Sequence, residues 1–228
     1  MVKSISRSAN VALADQASPA VFNFTNQEVA QMAETASSSS QVCSGMTTIA
    51  APHAVALIGF MGAGKTSVGR ALADRLGWRF EDLDDLIMQR ESRTVEQIFR
   101  ESGESHFRQL ENRVLREVTA QTTASRLILA LGGGAFVDAE SQDLLREAKF
   151  ATVFLDAPGE ELFRRCHEPG VVRPLRHDLG QFKKLYERRR PEYLNCSLHV
   201  QTAGTEIRVL ADKIIGELKL LASPGASE

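Results

Sequence analysis

The sequence contains few cysteines, little net charge and no long apolar runs. The 228 residues include 3 cysteines and carry a formal net charge of -2. Cys43, Cys166 and Cys196 are far apart and lack Cys-x-x-Cys spacing, which favours a reducing compartment over a disulfide framework or a metal site. A charge near zero gives no general attraction to nucleic acid or to an anionic membrane. The apolar runs are too short to cross a bilayer, so we expect a cytoplasmic protein with neither of these partners.

Residues 1–52 differ in composition from the rest of the chain. They include a run of four serines at 37–40, many alanines and few charges, and they show no sustained apolar period. We therefore expect this segment to be a disordered extension, with one short helix opening at the capping-box pattern of residues 25–28. It lacks the apolar stretch of a secretory signal. Organelle targeting and a true start at Met46 are the two alternatives that the sequence leaves open.

The most specific motif lies at residues 59–66, which read Gly-Phe-Met-Gly-Ala-Gly-Lys-Thr. This matches the phosphate-binding pattern Gly-x-x-x-x-Gly-Lys-Thr. The apolar run 54–58 before it predicts a buried strand, and residues 67–76 after it have apolar positions at helical spacing, which is the context that the motif requires. In such a loop the backbone N–H groups surround a phosphate, Lys65 reaches the outer phosphates, and Thr66 ligates Mg²⁺.

From residue 53 onward, strand and helix patterns alternate. This alternation predicts an α/β fold of three layers, α/β/α, with a central five-stranded parallel sheet. In such sheets ligands bind at the carboxyl ends of the strands. The predicted strands lie near residues 54–58, 79–81, 126–131, 150–155 and 197–201, and the last predicted helix runs from about 206 to 221.

Four acidic residues surround the end of the predicted strand at 79–81. For Glu81 and Asp85 we favour a simple role in capping the next helix or in favouring its N-terminal dipole. Asp82 and Asp84 have alternate spacing at a strand end that follows a phosphate loop. This placement suits one carboxylate for the water shell of a metal ion and the other for a substrate hydroxyl.

Three consecutive glycines, Gly132, Gly133 and Gly134, follow the predicted strand at 126–131. Consecutive glycines are entropically costly, so we expect a sharp turn or the close approach of a ligand there. The run is not a dinucleotide fingerprint, because the pattern Gly-x-Gly-x-x-Gly is absent.

Two arginines occupy positions that a plain surface role explains poorly. Arg108 lies near the start of a predicted helix, where a cation is unfavourable to the helix dipole. Arg173 lies in a basic window, 164–190, within a segment interrupted by proline and glycine, and such a loop can carry an arginine to a terminal phosphate. For Arg108 the alternative is a weak surface ion pair with Glu104, Glu111 or Glu117.

Together these motifs resemble the shikimate kinase family, whose members are P-loop kinases of the nucleoside-monophosphate-kinase-like type. The resemblance covers about residues 53–222. It rests on five elements in order: the phosphate loop at 59–66, Asp82-Leu83-Asp84, Phe107-Arg108 with Glu111, Gly132-Gly133-Gly134-Ala135, and Arg173-Pro174-Leu175 followed by Arg189-x-Pro-x-Tyr. It implies an enzyme that phosphorylates the 3-hydroxyl of shikimate with ATP and Mg²⁺.

The resemblance also implies a role for each matching residue. Asp84 binds the shikimate hydroxyl and is the candidate base, and it forms the catalytic set with Lys65 and Arg173. Arg108 and Arg189 hold the shikimate carboxylate, and Arg165 packs against adenine. The implied ATP contacts are Gly62, Ala63, Gly64, Lys65, Thr66, Ser67, Arg165 and Arg173. The implied substrate contacts are Asp84, Arg108, Gly132, Gly133, Gly134 and Arg189, and the implied metal ligands are Thr66 and, through water, Asp82.

The resemblance further implies a single domain over 53–228 with a mobile lid at about 166–180, and we expect a monomer. Two other functions are alternatives. One is another small-molecule kinase of the same fold, such as a gluconate kinase. The combination of Asp82 and Asp84 with the predicted arginine pair argues against it, since such a pair needs a rigid carboxylate partner. The other is a related ligand-sensing regulatory domain, but residues 1–52 are poor in the periodic helices that a DNA-binding module needs.

Overall fold

The structure, a computed structural model, describes residues 52–122, 126–167 and 178–220. These residues all belong to one compact unit, Ile49–Glu228. The predicted N-terminal extension lies outside the described residues except for its last position. Within the described ranges, no helix is long and apolar enough to cross a membrane.

A five-stranded parallel sheet forms the centre of the fold, as predicted. The strand order is β2-β3-β1-β4-β5, so β1 lies in the middle with β3 on one side and β4 on the other. The strands that follow β1 in sequence lie on both sides of it, so the strand order reverses at β1. The carboxyl end of β1 is therefore a topological switch point, where ligands bind in open α/β sheets. The strands are β1 (Ala54–Ile58), β2 (Arg79–Asp82), β3 (Leu127–Ala130), β4 (Ala151–Asp156) and β5 (Leu198–Gln201).

The core follows from the apolar composition of the three central strands. Every residue of β1, β3 and β4 is buried, as expected for strands covered on both faces. β2 and β5 lie at the edges and are only partly buried, which agrees with their mixed sequences.

Helices cover the sheet and complete the predicted three layers. α1 packs against α7, α3 packs against α2 and α4, and α5 packs against α6. The helices are α1 (Lys65–Leu76), α2 (Leu83–Glu91), α3 (Val95–Gln121), α4 (Ala139–Glu147), α5 (Gly159–Cys166), α6 (Leu179–Tyr193) and α7 (Ile207–Glu217), and a short 3-10 helix spans Ala135–Val137.

Helix α3 is interrupted once, and helix α7 ends earlier than predicted. At Gly103 the backbone is non-helical, with φ 80° and ψ 170°, so two helical segments of α3 meet there at a kink. The last helix ends at Glu217, earlier than the predicted 221. Lys219 adopts a left-handed φ of 51°, which no glycine or proline in the sequence announces.

The predicted lid at 166–180 is described only at its two ends. Cys166 is the last residue of α5, and Leu179 is the first residue of α6. Residues 168–177, which include Arg173, lie outside the described residues.

Candidate active site

The phosphate loop adopts a conformation that requires glycine. Gly59, Gly62 and Gly64 have φ values of 137°, 81° and 89°, in the region that other residues rarely adopt. A Cβ atom on Gly62 would lie 2.5 Å from the carbonyl oxygen of Leu162 in α5. The loop is therefore held close to α5 and cannot accept a side chain at this position.

The loop leads into α1, whose N-terminus is available to an anion. Gly64 is the N-cap residue and provides no side-chain hydrogen bond to the first turn. The N–H groups of that turn are thus able to bind phosphate oxygens. Lys65 extends across the loop, and its Nζ donates to the carbonyl oxygens of Gly59 at 2.9 Å and Phe60 at 3.1 Å.

Asp82 joins the phosphate loop to the start of α2. Its Oδ2 accepts a hydrogen bond from Thr66 Oγ1 at 2.9 Å, and its Oδ1 accepts one from the N–H of Asp84 at 3.1 Å. Asp82 therefore caps α2 and faces the phosphate loop at the same time.

The oxygens of Thr66 and Asp82 fit a magnesium ion. Mg²⁺ in kinases is held by one or two protein oxygens together with substrate phosphates and water, and not by a cage of protein ligands. Among the residues that the structure describes, no cluster of three or more His, Cys, Asp or Glu side chains could hold a metal by itself. The donor set here is the small oxygen set that Mg²⁺ uses when a nucleotide supplies the remaining ligands.

Asp84 and Glu111 approach the same glycine from two helices. A Cβ atom on Gly132 would lie 2.8 Å from Asp84 Oδ1 and 2.8 Å from Glu111 Oε1. Close approach of side chains thus explains the first glycine of the run. Glu111 is 1% exposed, and its Oε1 has no hydrogen-bond partner among the described residues.

The ionisation of Glu111 is strongly affected by its surroundings. Burial raises the pKa of this carboxyl to about 7, although the guanidinium of Arg108 acts in the opposite direction. The nearby charge of Asp84 adds a further upward contribution, and Arg189 a smaller downward one. Glu111 is therefore a carboxyl group that gains and loses its proton near neutral pH.

Arg108 is held by one buried and one exposed carboxylate. Its Nη1 donates to Glu111 Oε2 at 2.5 Å, and its Nη2 donates to Glu104 Oε1 at 3.3 Å. The side chain of Glu104 is 66% exposed, whereas that of Glu111 is 2% exposed. A plain surface ion pair is thus the wrong description of Arg108, and the third candidate partner, Glu117, pairs with Arg90 instead. The Arg108 guanidinium also lies against Gly134, the last glycine of the run.

α6 brings Arg189 to the middle glycine of the same run. Arg189 Nη1 donates to the carbonyl oxygen of Gly133 at 3.1 Å, and Tyr193 Oη donates to the same oxygen. Burial raises the pKa of Tyr193 to about 12, so its hydroxyl stays protonated and able to donate. Arg108 and Arg189 therefore reach neighbouring glycines from different helices, with Asp84 next to them.

Arg165 lines the same cleft as the phosphate loop. Its Nη1 and Nη2 donate to Thr202 Oγ1 and to the Thr202 carbonyl oxygen, both at 3.1 Å, and its Nε donates to Glu161 at 2.9 Å. The cleft has a volume of about 450 Å³, and its lining also includes Asp84, Gly133 and Ile207.

The structure gathers most of the predicted residues at one edge of the sheet. Those that line the cleft are Gly62, Ala63, Gly64, Lys65, Thr66, Ser67, Asp82, Asp84, Gly133 and Arg165. Those that adjoin it through the contacts above are Arg108, Gly132, Gly134 and Arg189. Arg173 lies outside the described residues.

Three contributors to the site were missed as functional residues by the sequence analysis. Glu111 and Tyr193 carried a signal, because each belongs to a motif that contains a predicted binding arginine. Thr202 carried none, since it follows an edge strand and its role depends on contact with α5.

Comparison with known proteins identifies relatives over nearly all of the described residues. A family model described as shikimate kinase matches residues 61–219. The shikimate kinase of Persephonella marina is 34% identical over 163 residues, which cover 72% of this chain and 97% of the relative. That of Gloeobacter violaceus is 44% identical over 154 residues, covering 65% and 82%. The structure of shikimate kinase from Acinetobacter baumannii in complex with shikimate matches with a TM-score of 0.68 and 34% identity, covering 75% of this chain and 94% of that one.

Proposed function

The chain belongs to the shikimate kinase family, and we propose that it transfers the γ-phosphoryl group of ATP to the 3-hydroxyl of shikimate. The observation that carries this proposal is the position of Asp84 in one cleft with the phosphate loop, next to two arginines at Gly133 and Gly134. The site thus has a loop that binds a phosphate donor and two arginines that bind a carboxylate-bearing acceptor, and both are close to the candidate base Asp84.

The nucleotide occupies the part of the cleft that is lined by the phosphate loop and Arg165. Its phosphates bind the N–H groups of the phosphate loop and of the first turn of α1, and Lys65 leaves the loop carbonyls to contact the outer phosphates. The adenine of the nucleotide lies towards Arg165. Thr202 holds the Arg165 guanidinium in place. Thr66, and Asp82 through water, would hold a Mg²⁺ ion, which would supply positive charge that neutralises the phosphates.

The acceptor binds beside the glycine run. Arg108 and Arg189 clasp its carboxylate from two sides, because a guanidinium presents paired N–H donors that match a carboxylate. Each arginine is held by a contact that leaves other N–H groups able to donate: Arg108 by Glu111, and Arg189 by Gly133. A rigid acid held at two points presents one ring hydroxyl to Asp84 in a fixed orientation.

Transfer then needs little further chemistry from the protein. The acceptor oxygen bonds to the γ-phosphorus, the bond between that phosphorus and the bridging oxygen of ADP breaks, and the hydroxyl proton passes to Asp84. Positioning and stabilisation of charge supply most of the rate in such reactions. We expect Asp84→Asn to lower kcat by about 100-fold or more, because asparagine can orient the hydroxyl but cannot take its proton. Turnover close to that of the wild type would refute the assignment of Asp84 as base.

Three further parts of the proposal rest on the resemblance and on composition alone. Arg173 approaches the transferring phosphoryl group from the lid, the protein acts as a monomer, and it works in the cytoplasm. Each can be tested separately, the first by Arg173→Ala, the second by sedimentation and the third by localisation of a tagged chain.

A coupled assay of ADP release tests the proposed function. MgATP is supplied with shikimate, quinate, gluconate or no acceptor. We expect turnover with shikimate well above that with the other acids, and a product that carries phosphate at the 3-position by NMR. Preference for gluconate would favour a different small-molecule kinase. ATP binding without turnover on any acceptor would favour a ligand-sensing domain.

A further inference from the structure

One buried charge next to the site has no role in the proposed reaction. Asp156 is the last residue of β4 and is 2% exposed. Its carboxylate accepts hydrogen bonds from Tyr186, from Arg190 Nη2 at 3.0 Å, from His199 Nε2 at 2.9 Å and from Gln201 Nε2 at 3.2 Å. Burial opposes ionisation, but the donors outweigh it and hold the pKa of Asp156 below its ordinary value. A buried carboxylate that stays charged fixes the positions of the groups that bind it.

Two of these donors lie on α6, the helix that carries Arg189. Tyr186 and Arg190 are four residues apart, so they form one stripe along the helix. Arg189 and Tyr193 are also four apart and form the adjacent stripe, which is rotated by about 60° around the axis. The first stripe binds Asp156 and the second binds the carbonyl oxygen in the glycine run. The rotation of α6 that Asp156 fixes thus determines where the Arg189 guanidinium lies.

The main chain of Asp156 has a second connection, towards the nucleotide end of the cleft. Its carbonyl oxygen accepts hydrogen bonds from Thr202 N at 2.7 Å and from Thr202 Oγ1 at 3.0 Å. Thr202 in turn accepts two hydrogen bonds from Arg165. A change in the Asp156 side chain leaves this second connection in place, so the two connections can be tested separately.

We propose that Asp156 is a positioning residue for both substrates. Its carboxylate sets the rotation of α6 and thereby places Arg189 for the acceptor carboxylate, while its carbonyl oxygen places Thr202 and thereby Arg165 for the nucleotide. This inference rests on the proposed function, because it takes an acid as the ligand of Arg189. Asp156 itself touches neither substrate and acts through Arg189 and Arg165.

Steady-state kinetics on four variants separate the two connections. Asp156→Asn removes the charge, and Tyr186→Phe removes one donor while keeping the ring that packs against Phe60. We expect each to raise the KM for shikimate about tenfold and to change the KM for MgATP by less than about twofold, since small misplacements of a positioning group have effects of this size. Thr202→Val should instead raise the KM for MgATP about tenfold and change the KM for shikimate by less than about twofold. Arg188, which is exposed on the same helix, provides the matched control, and Arg188→Gln should leave both constants unchanged.

Each outcome has a definite meaning. A merely structural role would lower the melting temperature and the fraction of active enzyme, and hence the apparent kcat, with both KM values unchanged, and that result would overturn the positioning role. If Asp156→Asn fails to fold, Tyr186→Phe makes the same test. A wild-type protein that does not turn over shikimate would overturn the proposed function and this inference with it. Normal wild-type turnover with unchanged KM values in the variants would overturn this inference alone.

Discussion

Adding one methyl group to Gly132 should impair the chemical step while leaving the fold intact. Gly132 is not among the glycines with positive φ, so alanine can adopt its backbone conformation. The new Cβ would lie 2.8 Å from Asp84 Oδ1 and 2.8 Å from Glu111 Oε1, about 0.6 Å short of the 3.4 Å at which ordinary contact begins. Both obstacles are ends of side chains, which can move. The strain is therefore relieved by displacement of the two carboxylates and not by unfolding.

The expected loss follows from that displacement. A shift of about 1 Å in a group that positions substrate can cost roughly 100-fold in rate, so a shift of about 0.6 Å in Asp84 should lower kcat by about tenfold or more. The phosphate loop is untouched, and the KM for MgATP should stay within about twofold of the wild-type value.

Two other alanine substitutions serve as comparisons. In Gly134→Ala the new Cβ would lie 2.7 Å from Arg108 Nη1. Displacement of that guanidinium should raise the KM for shikimate more than it lowers kcat. In Gly216→Ala, on the exposed side of α7, the Cβ would have nothing within 4 Å. That variant should keep both constants and gain up to about 1 kcal/mol in free energy of unfolding from helix propensity.

Initial rates over a matrix of shikimate and MgATP concentrations give all the constants, and circular dichroism confirms that each variant folds. The reasoning would be refuted if Gly132→Ala kept the kcat of the wild type. It would also be refuted if Gly132→Ala and Gly134→Ala changed the same constant by the same factor, because the two methyl groups are directed at different side chains.

Three more predictions concern ionisation, metal and a buried hydroxyl. The pKa of Glu111 is about 7 in the folded protein against an ordinary 4.5, so the folded state binds more protons in this range, and stability from this group falls as pH rises from about 4.5 to 7. By denaturant unfolding at pH 5 and pH 8, the wild type should lose about 2.5 kcal/mol relative to Glu111→Gln, and an equal change in both proteins would contradict the assignment. Thr66→Val should raise the Mg²⁺ concentration needed for half-maximal rate severalfold, since it removes a ligand oxygen. An unchanged magnesium dependence would exclude Thr66 as a ligand. Tyr193→Phe should lower the free energy of unfolding by about 1 kcal/mol through the lost hydrogen bond to Gly133, and no loss in denaturant titration would show that this bond contributes nothing.

Much of the fold could be predicted because the strong signals are local. The strands predicted at 54–58 and 79–81 differ from β1 and β2 by no more than one residue, since an unbroken apolar run marks β1 and Gly77 ends the helix that precedes β2. The phosphate loop was recognisable for the same reason, because its glycines, lysine and threonine lie within eight consecutive positions, 59–66. The end of α7 was not, as Lys219 adopts a left-handed conformation without a local signal.

The surroundings of the candidate site could not be predicted in the same way. The i, i+3 spacing of Arg108 and Glu111 indicated a pair, but the burial that raises the pKa of Glu111 comes from packing near Gly132, which is distant in sequence. Asp156 is the last residue of β4 as Asp82 is of β2, yet the side-chain partners of Asp156 lie on α6 and β5. Long-range contacts of this kind depend on the order of strands and the packing of helices, which no local pattern contains.

The central claim is that Arg189 helps to hold the carboxylate of the acceptor, and a change made in both substrate and protein tests it most directly. kcat/KM would be measured for shikimate and for its methyl ester, with the wild type, with Arg189→Ala and with the exposed control Arg188→Ala. A charge-assisted hydrogen bond contributes about 1.5–3 kcal/mol, so esterification should cost the wild type and the control about 10- to 100-fold. In Arg189→Ala the further loss on esterification should be smaller, because one of the two guanidinium partners of the carboxylate is already gone and only Arg108 remains. An equal loss on esterification in all three proteins would show that Arg189 does not bind the carboxylate, and would contradict the account.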